Sequence, residues 1–194
     1  MKLRRINLYG GSGIGKSKNA SGLFYALKEA SVAGGGKVTF ELVPEYVKQW
    51  AYLGRKPRGF EQNYLFAKQQ HSEEVSLLAG VDCVVTDSPL LLNCAYAKAH
   101  DVPSWEVLTE LAMLHEGAYP GIHIFLDRGD RPYVQKGRYE DEAGARKMDD
   151  FIREFITEHL SGNFRFIHHD DLATMLEVIN GRLSNDYFDG KGSL

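Results

Sequence analysis

Short apolar segments alternate along the chain with longer segments in which apolar residues recur every three or four positions. Short apolar runs are typical of buried strands, and longer periodic segments are typical of helices packed on a sheet. The alternation predicts repeated strand–helix–strand units and a parallel sheet. The predicted strands are Leu3–Tyr9, Lys37–Leu42, Val81–Thr86, His123–Leu126 and Phe164–His168. The predicted helices are Ser17–Ser31, Phe60–Leu78, Pro89–His100, Ser104–Glu116, Glu142–Leu160 and Asp171–Leu183.

Length and composition are those of an ordinary globular domain. The chain has 194 residues, of which 43% are hydrophobic and 25% charged, with a formal net charge of -3. We predict a single domain over residues 1–194, because chains of about 100–200 residues commonly form one core. The net charge argues against a protein whose whole surface binds nucleic acid. It is compatible with a local basic patch.

The sequence shows no membrane or secretory signal. It contains no apolar run of about 18 residues, and its first residues lack the apolar stretch of a signal peptide. We therefore expect a cytoplasmic protein with no membrane partner. Cys83 and Cys94 lie in apolar segments without metal or disulfide spacing, so we expect reduced core thiols. The oligomeric state stays open, and a homodimer is among the states we consider.

A glycine-rich loop follows the first predicted strand. Residues 10–17 read Gly-Gly-Ser-Gly-Ile-Gly-Lys-Ser, a full match to the motif G-x-x-x-x-G-K-[ST] between a strand and a helix. Glycines let several backbone N–H groups approach phosphate oxygens, and the following helix directs its positive dipole end at the same anion. We predict that Lys16 bridges the β- and γ-phosphates and that the Ser17 hydroxyl binds Mg²⁺. The predicted nucleotide-binding residues are Gly11, Ser12, Gly13, Ile14, Gly15, Lys16 and Ser17.

An acidic residue follows each of two predicted strands, at the sheet edge where open α/β sheets bind ligands. Asp87 comes after the third strand, where a carboxylate can bind Mg²⁺ opposite Ser17 or accept a proton from an attacking hydroxyl. The alternative is that Asp87 caps the helix that starts near Pro89. Glu45 comes after the second strand, where it can serve as the base toward an acceptor hydroxyl. The alternative for Glu45 is an ordinary acid in the first turn of a short helix.

Aromatic residues follow Glu45 closely. Tyr46, Trp50 and Tyr52 offer flat apolar surfaces to a ring of the acceptor. Alternatively, they are core or surface aromatics of a short helix.

Arginines follow the fourth predicted strand in the segment 128–141. Arg128, Arg131 and Arg138 are predicted to stabilise the charge of a transferring phosphoryl group. Glycines within the segment would allow it to close as a lid that excludes water. The alternative is a solvated charged loop between a strand and a helix.

A second basic segment covers residues 48–68. It holds five basic residues and one acidic residue, a local charge of +4. This asymmetry indicates an anionic acceptor, either a phosphorylated small molecule or a nucleic-acid backbone, or else a solvated helix face.

With these residues assembled, nearly the whole chain resembles the small P-loop kinases of the nicotinamide riboside kinase-like family. The resemblance rests on the phosphate loop 10–17, on Pro44-Glu45-Tyr46, on Thr86-Asp87-Ser88 and on residues 130–138 of the lid. The lid is similar to the family's stretch D-x-P-W-x-x-D-G-x-R but departs from it at Tyr133, Gln135 and Lys136.

The resemblance implies a P-loop NTPase fold with a five-stranded parallel sheet of order 2-3-1-4-5, flanked by helices, and an arginine-bearing lid. It implies Mg-ATP as the phosphate donor and the hydroxyl of a nucleoside, nucleotide or nicotinamide riboside-like molecule as the acceptor. The acceptor pocket is expected around Glu45, Asp87 and the segment Lys48–Gln70. The predicted substrate-binding residues are Glu45, Tyr46, Trp50, Arg55 and Arg58.

Two alternatives to a small acceptor stay open. Some phage members of the family resemble kinases of 5-hydroxymethyluracil bases in DNA, and the basic segment with its aromatics would suit a flipped base and its backbone. The third hypothesis is an NTPase or nucleotide-gated binding module without a dedicated acceptor.

Overall fold

A computed structural model describes residues 2–130, 132–160 and 164–187, so Arg131 lies outside the described residues. Its strands are β1 Arg5–Tyr9, β2 Phe40–Val43, β3 Cys83–Thr86, β4 Gly121–Asp127 and β5 Phe164–His168. Its helices are α1 Lys16–Ala33, α2 Lys48–Tyr52, α3 Glu61–Leu78, α4 Leu90–Ala99, α5 Trp105–Ala118, α6 Glu142–Leu160 and α7 Leu172–Tyr187.

The five strands form one parallel sheet of order β2-β3-β1-β4-β5. In the central pairs, Arg5 lies opposite Val84 of β3 and opposite Gly121 of β4. Long helical crossovers join the strands, as parallel neighbours require. The predicted α/β class, the parallel sheet and the strand order are confirmed.

Helices cover both faces of the sheet. On one face, Leu8 and Ile124 pack with Leu23 of α1 and Met175 of α7. On the other face, Phe125 packs among side chains of α3, α4, α5 and α6. Both faces are therefore removed from water, which explains why the strands read as near-continuous apolar runs.

The predicted boundaries agree with the structure at both ends for β5 and α6, differ most among the strands at β2, and differ most among the helices at the end of α7, which reaches Tyr187 rather than Leu183. Strand β2 begins at Phe40 rather than Lys37, because the Thr39 N–H bonds to the Asp82 carboxylate at 2.9 Å instead of to a neighbouring strand. The short helix α2 was foreseen only in the alternative interpretation of the aromatics after Glu45.

The described helices and the two cysteines can be compared with the expectations about membrane spans and core thiols. Across residues 2–130, 132–160 and 164–187, no helix has both the length and the apolar character needed to cross a membrane. Cys83 and Cys94 are buried free thiols, as predicted, and burial raises the pKa of both.

The face of β1 that packs against α3 and α5 carries buried polar side chains. Arg5 is 2% exposed and donates to Glu73 at 3.1 Å and to Glu116 through its other terminal nitrogen. Glu116 also pairs with His123 Nε2 at 3.2 Å, and His123 Nδ1 lies 3.0 Å from the Tyr9 hydroxyl. Burial raises the pKa of Glu73 to about 7, although Arg5 opposes the shift. These groups compensate one another's loss of water.

Candidate active site

The glycine-rich loop joins β1 to α1 at the carboxyl edge of the sheet. Gly10, Gly13 and Gly15 have φ angles of 133°, 79° and 108°, which residues with a side chain rarely adopt. Helix α1 begins at Lys16, directly after Gly15, and has no acidic residue in its first turn. Its free N–H groups and positive dipole end therefore form an anion site at the loop.

Lys16 is held at the loop by its own backbone. Its Nζ donates to Gly10 O at 2.7 Å and to Gly11 O at 3.0 Å, and the residue is 9% exposed. An ammonium group has three donors, so one remains for a phosphate oxygen. The next side chain, Ser17, accepts a long hydrogen bond of 3.4 Å from Lys48 Nζ of α2. Lys48 thus brings a second cation to the phosphate site.

A cavity of about 640 Å³ extends from the phosphate loop into the space below the lid. This volume is that of a small-molecule site. Its walls include Glu45 and Lys48 after β2, Gln62 of α3, Asn93 and Tyr96 of α4, and residues 137–140 of the lid. The phosphate loop and the surroundings of Glu45, Gln62 and Tyr96 therefore open into one continuous space.

Glu45 faces this cavity and is half-buried. Burial raises the pKa of its carboxyl group above the usual range. The nearby charges of Asp87 and Glu140 raise that pKa further, while Lys16 and Lys48 oppose the shift. A carboxylate with a raised pKa beside a phosphate site is suited to accept a proton.

Asp87 follows β3 and is 3% exposed. Among the described residues, its buried Oδ1 has no hydrogen-bond partner. Helix α4 starts at Leu90 after Pro89 and has no side-chain cap, so the capping alternative finds no support. A buried carboxylate oxygen without a donor fits a bound cation, and the hydroxyl of Ser17 adds an oxygen ligand of the kind that Mg²⁺ prefers. The residues present therefore fit Mg²⁺.

Of the two predicted arginines that the structure describes, Arg138 lines the cavity and Arg128 does not. Arg138 donates to Val134 O within the lid and lies 5.1 Å from the Tyr133 ring. Arg128 is 4% exposed and lies behind the phosphate loop, because a bidentate pair with Asp149 holds it there. Arg131 lies outside the described residues.

The predicted substrate-binding aromatics form a cluster of their own beside the cavity. Trp50 is 8% exposed and stacks on Tyr64 at 6.0 Å, and the Tyr46 hydroxyl lies 3.0 Å from that of Tyr64. The Arg55 guanidinium lies 3.6 Å above the Trp50 ring and pairs with Glu61 at 2.6 Å. These side chains contact one another rather than the cavity. Glu45 is the predicted substrate-binding residue that lies in the cavity wall.

Other residues of the basic segment reach the cavity instead. Lys48 and Lys56 line it, whereas Arg58 is exposed and outside its wall. Sequence reasoning also missed Asn93 and Tyr96 of α4. The available signal was a polar asparagine within the otherwise apolar start of this helix.

A family model described as an AAA domain matches residues 5–168, from the first residue of β1 to the last of β5. The chain belongs to the AAA domain family. The match includes the phosphate loop, Glu45, Asp87 and the lid, so this AAA domain is a nucleotide-binding P-loop domain. None of the curated proteins matches the chain.

Proposed function

We propose that this AAA domain is an ATP-dependent kinase that transfers the γ-phosphate to a hydroxyl of a nucleoside- or nucleotide-like acceptor. The observation that carries the proposal is the cavity of about 640 Å³, in which Lys16 and Glu45 share one space with Gln62 and Tyr96. The cavity continues past the phosphate loop to Gln62 and Tyr96, which supports room for an acceptor beside the nucleotide, whereas hydrolysis would need room for a water molecule only. The resemblance to nicotinamide riboside kinase-like enzymes supports the same reaction.

On the donor side, Lys16 and the amides of the phosphate loop would hold the β- and γ-phosphates. Ser17 and Asp87 would hold Mg²⁺, which supplies neutralisation of phosphate charge when bound. Lys48 adds positive charge beside Ser17.

On the acceptor side, Glu45 would take the proton of the acceptor hydroxyl as that oxygen attacks the γ-phosphorus. The bond from this phosphorus to the bridging oxygen breaks, and ADP leaves with the electron pair. Arg138 from the lid would stabilise charge on the transferring group, and Arg131 stays a prediction for the same role.

The far wall of the cavity supports an acceptor with a hydrogen-bonding ring. Gln62 and Asn93 are 8% and 7% exposed. Gln62 Nε2 donates to Asn93 O at 3.4 Å, and Asn93 Nδ2 donates to Ser88 Oγ at 3.3 Å. In the described part of the chain, the side-chain oxygens of both amides accept no hydrogen bond. Free amide oxygens beside Tyr96 suit a nucleobase or carboxamide edge.

A DNA acceptor carrying 5-hydroxymethyluracil is the second candidate, and the rim of the cavity favours it. Tyr52 and Phe60 are each 64% exposed, and Arg58 is exposed between them in the sequence. Exposed rings and cations are the groups that bind unstacked bases and phosphates. An NTPase or nucleotide-gated module remains the third candidate.

The proposal is tested with γ-labelled ATP against a nucleoside and nucleotide panel, nicotinamide riboside and DNA containing 5-hydroxymethyluracil. We expect label on a small hydroxyl compound. Label on the DNA alone would favour the second candidate. Steady ATP hydrolysis with no labelled acceptor would refute both kinase proposals and favour the NTPase.

A further inference from the structure

The carboxylate of Asp149, in the middle of α6, is bonded directly to the phosphate loop. The Gly11 N–H donates to Asp149 Oδ1 at 2.6 Å. Arg128 donates to the same carboxylate through Nε at 2.6 Å and Nη2 at 3.1 Å, and its Nη2 also donates to Ser12 O at 2.9 Å. Two consecutive loop residues are thus held by one buried ion pair.

Gly11 occupies a position that the phosphate-binding motif leaves free. A Cβ atom there would lie 2.6 Å from Asp149 Oδ1 and 2.7 Å from Ala145 O of α6. Both distances are too short for a real contact. Position 11 therefore needs glycine because α6 packs closely against it. The other reason for glycine in such a loop, access for a phosphate, is not needed to explain this position.

The lid contacts the next part of the same loop. A Cβ atom at Gly13 would lie 2.8 Å from the Tyr133 ring and 3.0 Å from Arg138 Nη1. The lid runs directly into α6, which begins at Glu142. The phosphate loop is thus bonded to α6 at Gly11 and covered by the lid at Gly13.

We propose that Asp149, oriented by Arg128, is a positioning residue that sets the shape of the phosphate loop and links it to α6, the helix that follows the lid. It acts through the Gly11 amide and does not touch the nucleotide. Arg128 also neutralises the Asp149 carboxylate. Without Arg128, a negative charge bonded to the phosphate loop would repel the phosphates of a nucleotide. The inference rests on nucleotide binding and not on the acceptor of the proposed function.

The test uses two variants that break the contact without changing the net charge. One is the double variant Arg128→Gln with Asp149→Asn, and the other is Gly11→Ala. We expect each to raise the Kd for Mg-ADP about tenfold in calorimetric titration, the usual weight of one charge-assisted hydrogen bond. The control is Glu142→Gln with Arg146→Gln, an exposed pair in α6 at 2.9 Å, for which we expect no change.

Thermal unfolding of each variant separates positioning from a merely structural role. A structural role would lower the melting temperature and leave the Kd of the folded protein within twofold of wild type, and that result would overturn the inference. If the double variant does not fold, Arg128→Lys retains the charge pair and should raise the Kd about threefold, so an unchanged Kd there is equally decisive. A wild-type protein that binds no Mg-ADP would instead refute the nucleotide site itself.

Discussion

The phosphate-loop half of the cavity and the rim of the proposed acceptor half differ in how far their side chains are exposed. On the donor side, Lys16, Arg128 and Asp149 are largely buried, and each makes at least two hydrogen bonds to the loop or to one another. On the rim of the proposed acceptor half, Tyr52 and Phe60 are each 64% exposed. A preformed donor site loses little conformational entropy on binding, whereas an exposed acceptor rim can adapt to its ligand.

The lid touches both halves. Tyr133 lies against Gly13 of the phosphate loop, while the Tyr139 hydroxyl donates to Arg55 O at 2.6 Å. The lid therefore contacts both the phosphate loop and the segment after α2. The following experiments separate the two halves, beginning with the largest expected effect.

Replacement of Lys16 should have the largest effect. We expect Lys16→Ala to lower phosphate transfer or ATP hydrolysis at least about 100-fold, because it removes a buried cation from the developing charge. Lys28→Ala is the matched control, since Lys28 lies on the same helix outside the cavity wall, has a 51% exposed side chain and pairs with Glu41, and it should retain near-normal activity. Equal rates in the two variants would contradict the assignment of the phosphate site.

Replacement of Glu45 should separate transfer from nucleotide binding. We expect Glu45→Gln to lower the transfer rate about 100-fold or more, with a nearly unchanged Kd for Mg-ADP, because it removes a general base. Glu41→Gln on the exposed edge of β2 is the control. A large loss of nucleotide affinity without loss of maximal rate would argue against the base.

The pH dependence of transfer tests the same residue. Burial raises the pKa of Glu45, so the group is protonated at a higher pH than an ordinary glutamate. Because a base must be ionised, we expect activity to fall on acidification at a higher pH than a normal glutamate would produce. A rate profile that is flat down to the usual glutamate range would contradict a role for Glu45.

Charge reversal on the acceptor rim should have a smaller effect. For a small acceptor, we expect Arg58→Glu to leave the rate within about twofold, because the side chain is exposed outside the cavity. For a DNA acceptor, the loss should be larger and should depend on salt. Lys147→Glu on the exposed side of α6 is the control, and a salt-dependent loss confined to Arg58→Glu would favour DNA.

A substitution in the buried cluster around Arg5 should change the free energy of unfolding and leave activity at the candidate active site almost unchanged. The pKa of Glu73 is raised from 4.5 to about 7, so the folded state binds its proton more tightly than the unfolded state does. The free energy of unfolding should therefore fall as pH rises from about 4.5 to about 7. We expect this slope to be weaker in Glu73→Gln than in Glu74→Gln, measured by urea unfolding, and equal slopes would contradict the assignment.

Features that depend on neighbouring residues could be predicted from the sequence. The strands and helices follow from local apolar periodicity, and the phosphate loop is a contiguous motif between two of them. Glu45 and Asp87 were predicted to lie near each other because parallel strands end at a common edge. The structure places them just after β2 and β3, while their roles stay predictions. The electrostatic coupling between these two carboxylates agrees with that placement.

Features that depend on partners distant in the sequence were decided only by the tertiary structure. Arg128 looks like a lid arginine until Asp149, on the next helix, is seen to hold it behind the loop. Gly11 looks like a phosphate-loop glycine until α6 is seen to press against it. Local patterns determine which element a residue joins, because backbone hydrogen bonding and side-chain alternation are short-range. The packing of those elements determines which charges meet, because a buried charge must take whichever opposite charge the fold brings within a few ångströms.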